Sequence, residues 1–119
     1  MKEIMGRAKK ILEKYAPITH EINEMGQVGK FSNVKVRINS TDHPPAHVHL
    51  IKDRALVAKV IIPEDFPSNA NQVNIIQRGT EYRSEIITKF VKWLSETNSD
   101  GIVNLVACRF MWTGLHPEE

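Results

Sequence analysis

Three of the chain's five histidines fall within seven residues, in the stretch Asp42-His43-Pro44-Pro45-Ala46-His47-Val48-His49. Imidazole nitrogen is a common ligand for zinc and other divalent metals, and the same ring exchanges protons near neutral pH. Pro44 and Pro45 each hold φ near about −65° and keep the preceding residue extended, so His43 is expected on a stiff bend. From Ala46 onward the pattern is extended, and a period of two puts His47 and His49 on one strand face with Val48 and Leu50 on the other. As a metal site, His43, His47 and His49 supply three imidazoles, and Asp42 acts as a fourth ligand or orients one of them. The expected cofactor is a divalent metal, zinc first, whose open position activates water for hydrolysis. Without a metal, one histidine serves as general base and another as general acid, with Arg37 stabilising charge on a phosphodiester. A third reading is non-catalytic: the imidazoles bond to backbone groups, the motif is a structural turn, and the domain binds a protein partner.

These side chains need elements to hold them. Val34 to Ser40 alternates, with Val34, Val36 and Ile38 against Lys35, Arg37 and Asn39, as an antiparallel strand with one buried face does. A second strand over 46–51 buries Val48 and Leu50 and exposes His47 and His49. Pairing of the two then places Arg37 and Asn39 beside the histidines on an open side. Lys52-Asp53-Arg54 reads as a turn, and 55–62 as a third strand with two largely apolar faces, so a cover is expected over the open side. Residues 63–69 form a loop whose Glu64 and Asp65 could supply a carboxylate to the site but read as a solvated pair. Residues 71–78 add a further short strand.

The flanks read as helices. Ile4, Ala8, Ile11, Leu12 and Tyr15 recur at helical spacing, giving an amphipathic helix over 1–16 that Pro17 ends and that serves as the candidate cover. Its Lys9, Lys10 and Lys14 read as a solvated face. Residues 18–33 read as a loop or short edge strand, with His20 on the surface. Thr80 is the expected N-cap of a helix whose stripe is Ile86, Ile87, Phe90, Val91, Trp93 and Leu94. Asn98-Ser99-Asp100-Gly101 breaks it, and 102–115 follows as a second helix capped by Ser99 or Asp100, or as a buried strand. Cys108 reads as a small core residue and His116 as surface.

Composition bounds the whole. The 119 residues, 41% apolar and 25% charged, suit one domain with one core. Sixteen basic against fourteen acidic residues leave a net charge of +2, too little for a dedicated nucleic-acid binder. One cysteine excludes an internal disulfide and suits a reducing compartment. Charges interrupt the N-terminal apolar run and no later run has membrane-spanning length, so a cytoplasmic protein with no membrane partner is expected.

The run VKVRINSTDHPPAHVHL over 34–50 resembles the signature of a prokaryotic family known as domain of unknown function four-one-six-zero. The similarity covers Arg37, Asp42, His43, Pro44, Pro45, His47 and His49, and Phe90-Val91-Lys92-Trp93-Leu94 resembles that family's helix. The chain departs from the pattern in its N-terminal helix, in a longer segment over 63–79, at Ala46 where a third proline is common, and in its C-terminal helix. Members' genes often sit beside partner genes in toxin–antitoxin-like pairs, so the resemblance implies an antitoxin-like cognate partner. RNA as substrate is expected from the residues instead: with Arg37 and Lys35 or Lys59 near the histidines, phosphate is the natural electrophile. The expected fold is a single α+β domain over 1–119: an N-terminal helix, a sheet of three to four antiparallel strands over 28–78, and one or two C-terminal helices over 79–116 packed on it.

Overall fold

A computed structural model describes residues 25–117. The expected N-terminal helix and His20 lie outside the described residues. Two tight turns organise the sheet. Ser32 and Asn33 have φ of 43° and 64°, and Asp53 and Arg54 have φ of 49° and 67°. Positive φ at both central residues is the mark of the two-residue turn whose twist matches that of antiparallel strands. The first joins β1 (Met25–Phe31) to β2 (Val34–Asn39), and the second joins β3 (His47–Lys52) to β4 (Ala55–Ile61). A single turn of 3₁₀ helix (Ala70–Gln72) precedes β5 (Ile75–Arg78). The five strands lie side by side in chain order, every pair antiparallel. The two helices are α1 (Ser84–Ser95) and α2 (Asn104–Leu115). The α+β class is as expected, but the sheet has five strands instead of three to four.

The added strand is β1, and its glycines explain why it reads poorly as a strand. Gly29 pairs with Val36, which pairs with Leu50, so all three share one face of the sheet. Trp93 of α1 lies directly over Gly29: a Cβ there would sit 2.6 Å from Trp93 Cζ2. The absent side chain is the seat of the indole, so a gap in the apolar pattern marks a packed position. Phe31 completes the seat, with ring centroids 6.1 Å from Phe90 and 5.9 Å from Trp93. Val34, Val36, Ile38, Val48, Leu50 and Val60 are buried in the same core with Phe90, Leu94, Leu105 and Met111.

Both helices start later than expected. Gly79 N–H donates to the Val57 carbonyl at 2.9 Å and Glu81 N–H to that of Leu56 at 3.3 Å, so Thr80 is still tied to β4 and cannot cap α1. Arg83 occupies the N-cap without a side-chain bond to the free N–H groups of the first turn. Before α2, the Asn98 side chain accepts from the backbone of Asp100 at 2.9 Å and of Ile102 at 3.0 Å, closing the loop on itself, and Val103 becomes the N-cap in place of Ser99 or Asp100. The run 102–115 is helical from Asn104 and not a buried strand. Cys108 is fully buried in it, and burial pushes its thiol well above the ordinary thiol range. It therefore stays inert to a water-soluble thiol reagent until the chain unfolds, measurable as reagent colour appearing only through the denaturation transition. Replacing Gly29 by Ala forces the indole aside and lowers stability by about 1–3 kcal/mol, read as a lower urea midpoint at unchanged slope.

Candidate metal centre

Local bonds at the end of β2 deliver Asp42. The Asn39 side-chain oxygen accepts from Thr41 N–H at 3.0 Å and from Thr41 Oγ1–H at 2.8 Å, and the Asn39 carbonyl accepts from Asp42 N–H at 3.1 Å. This short turn bends the chain over the start of β3. The chain then passes through His43, Pro44 and Pro45, whose Pro44-Pro45 peptide bond is cis, and enters β3 at His47.

His47 and His49 project together, as period two requires, with ring centroids 5.3 Å apart. Asp42 Oδ2 lies between them, 2.7 Å from His49 Nε2 and 3.3 Å from His47 Nε2. One ligand atom from each of the three residues falls within 4.8 Å of the others. The imidazoles are buried instead of exposed, at 7% and 8% residual accessibility, while Asp42 is half-buried. Part of the cover over His47 is Trp112 of α2, whose ring lies 5.6 Å away. The expectation of an open face is therefore corrected here.

The tautomer of His47 can be read from its other nitrogen. Nδ1 lies 2.9 Å from the Pro45 carbonyl oxygen, which only accepts, so Nδ1 carries the proton and donates. The neutral ring then presents a lone pair at Nε2, aimed at a carboxylate oxygen that also has only lone pairs. Two electron-pair donors facing each other at 3.3 Å are favourable only with a cation between them, a metal ion or a proton on Nε2. Ligand atoms about 2.0–2.1 Å from a tetrahedral zinc stand about 3.3 Å from one another, so the His47–Asp42 pair already has that spacing. The His49–Asp42 pair would have to widen by roughly 0.6 Å to reach it.

The remaining expected residues are placed as follows. Arg37 is half-buried and directly opposite His49 in the β2–β3 register, with Lys59 opposite His49 on the β4 side. His43 is exposed and is not one of the convergent set, because the proline bend that turns Asp42 inward leaves its neighbour facing out. The group able to hold a metal ion is therefore Asp42, His47 and His49, without the third imidazole. Glu64 and Asp65 are exposed loop residues and do not join it.

His116 is buried, not superficial. Its ring stacks on Trp112 with centroids 3.8 Å apart, and Nδ1–H donates to the Trp112 carbonyl at 2.8 Å. Its Nε2 has no hydrogen-bond partner among the described residues. The signal for it was the four-residue helical spacing from Trp112. Comparison with protein-family models, curated proteins and solved structures finds no match to this chain.

Nitrogen-detected NMR of the imidazoles is expected to show His47 protonated at Nδ1, the tautomer that its bond to Pro45 requires. Replacing Asp42 by Ala leaves two buried imidazole nitrogens unpaired and costs about 1–3 kcal/mol of stability, read by urea denaturation.

Proposed function

We propose that Asp42, His47 and His49 hold a divalent metal, zinc first, and that the chain uses this centre to hydrolyse phosphodiester bonds in RNA. The observation that carries the reading is His47 Nε2 held 3.3 Å from a carboxylate oxygen while Nδ1 is bonded to the Pro45 carbonyl, an arrangement that calls for a metal ion or a proton between the two. Two imidazoles and one carboxylate are a donor set for zinc or for iron, and three protein ligands leave a position for water or substrate. When bound, such an ion polarises a phosphoryl oxygen and activates water. The chain's own residues do the rest. Pro45 fixes the His47 tautomer through its carbonyl, Asp42 orients both rings, and Arg37, opposite His49, balances the charge that builds on the phosphate. The likeness of 34–50 to a family found in toxin–antitoxin-like gene pairs adds a role: one member of such a pair, held in check by a cognate protein.

Elemental analysis of the purified chain is expected to find about one metal ion per chain, and chelation to abolish RNA cleavage, restored by zinc. The double variant His47→Ala with His49→Ala is expected to lose both metal and cleavage, and Arg37→Ala to retain the metal while cleavage slows about 10²–10³-fold. Cleavage that survives chelation but not the double variant would replace the metal by acid–base work of the two histidines.

One observation favours a second reading. The 2.7 Å contact from His49 to Asp42 is a complete hydrogen bond that needs no ion, and it fastens the bend to β3. On that reading the motif is a structural turn in a protein-binding module. A chain without bound metal, without cleavage activity and of undiminished stability would establish it.

A further inference from the structure

The two hairpin turns bring a second group of charges together on the sheet. A cavity of about 360 Å³ is lined by Lys30, Asn33, Lys35, Arg37, Ile51, Asp53 and Arg54. It holds four cations against one carboxylate, more positive excess than the +2 of the entire chain. Lys30 and Lys35 are directly opposite each other in the β1–β2 register, a pairing of like charges that weakens a sheet. Arg54 occupies a turn position with φ of 67°, where asparagine or glycine is the less strained choice. None of the four cations has an ion-pair partner among the described residues. Two local costs, the opposed lysines and the strained arginine, converge on one cavity that carries four unpaired cations, and an anion relieves the electrostatic one.

We propose that this cavity is a phosphate-binding subsite that holds a single strand of RNA leading into the metal centre. The inference rests on the phosphodiester reading for its choice of ligand. Arg37 belongs to both places, lining the cavity and facing His49 across the β2–β3 pair. Lys35 and Arg37 stand two residues apart on one strand face, about 7 Å along β2, a step comparable with successive phosphates of an extended strand. No aromatic ring lines the cavity, so recognition is of the backbone and not of stacked bases, and it is indifferent to sequence. The Asn33 amide at the rim offers the ribose 2′-hydroxyl a partner that deoxyribose cannot use.

The test is fluorescence anisotropy with a fluorescein-labelled oligouridylate on the full chain and on the double variant Lys30→Gln with Arg54→Asn, both exposed positions. Metal content of the variant is expected to match the parent, and its thermal melt to lie at or above the parent's, because it removes the opposed charge and the strained arginine. Binding is expected to weaken at least tenfold, and the slope of log affinity against log salt to shrink by about 1.4, at about 0.7 per lost phosphate contact. Equal affinity and slope in the two proteins would overturn the subsite. Polyglutamate competing as well as the oligouridylate, charge for charge, would overturn it in favour of an acidic protein surface, and equal binding of oligodeoxyuridylate would overturn the assignment of RNA. Binding that persists in chelated protein, with the same dependence on Lys30 and Arg54, supports the subsite even if no cleavage is found. Cleavage with no such dependence leaves the metal centre standing and removes the subsite.

Discussion

A single carboxylate holds the distinctive part of this molecule together. Asp42 reaches from a bend at the end of β2 to two imidazoles at the start of β3, and its Oδ2 meets both Nε2 atoms. Among the described side chains, one other bond joins the bend to that strand, from His47 Nδ1–H to the Pro45 carbonyl at 2.9 Å. Leaving a buried polar group unpaired is costly, so the burial of His47 and His49 depends on Asp42, and the inward turn of Asp42 depends on the Asn39 bonds that precede it. The Pro45 carbonyl closes the arrangement by fixing which His47 nitrogen carries the proton.

The sheet makes this possible by dividing labour between its faces. The face through Gly29, Val36 and Leu50 is given to hydrophobic packing, with Trp93 seated where a side chain is missing. The alternate positions are free for polar work, and register lines up Arg37, His49 and Lys59 across three strands. Trp112 links the two regions, its ring lying near that of His47 and stacked on that of His116. His116 is the counter-example to Asp42's economy: its buried Nε2 has no partner among the described residues, a cost of about 1–3 kcal/mol that the packing around Trp112 absorbs. No described helix is long and apolar enough to cross a membrane.

Much of the site and the fold was legible along the chain. Alternation in Val34 to Asn39 and the density of histidines after Pro45 located two strands and two of the three clustered side chains, because a period of two is a local property that tertiary packing preserves. Gly29 and Thr80 misled for the same reason in reverse. A glycine under an indole and a threonine tied to a neighbouring strand look, in one dimension, like a loop and a helix cap.

The amino-acid order by itself determined which residues alternate, where the chain must turn and which side chains are chemically able to bind a cation, since these follow from steric preferences within a few residues. Only the tertiary structure decided that Asp42 and not His43 joins His47 and His49, that the imidazoles are buried, and that Lys30 and Arg54 share a cavity with Arg37. Those outcomes depend on the direction of the bend and on strand register, and both are fixed by contacts between segments distant along the chain.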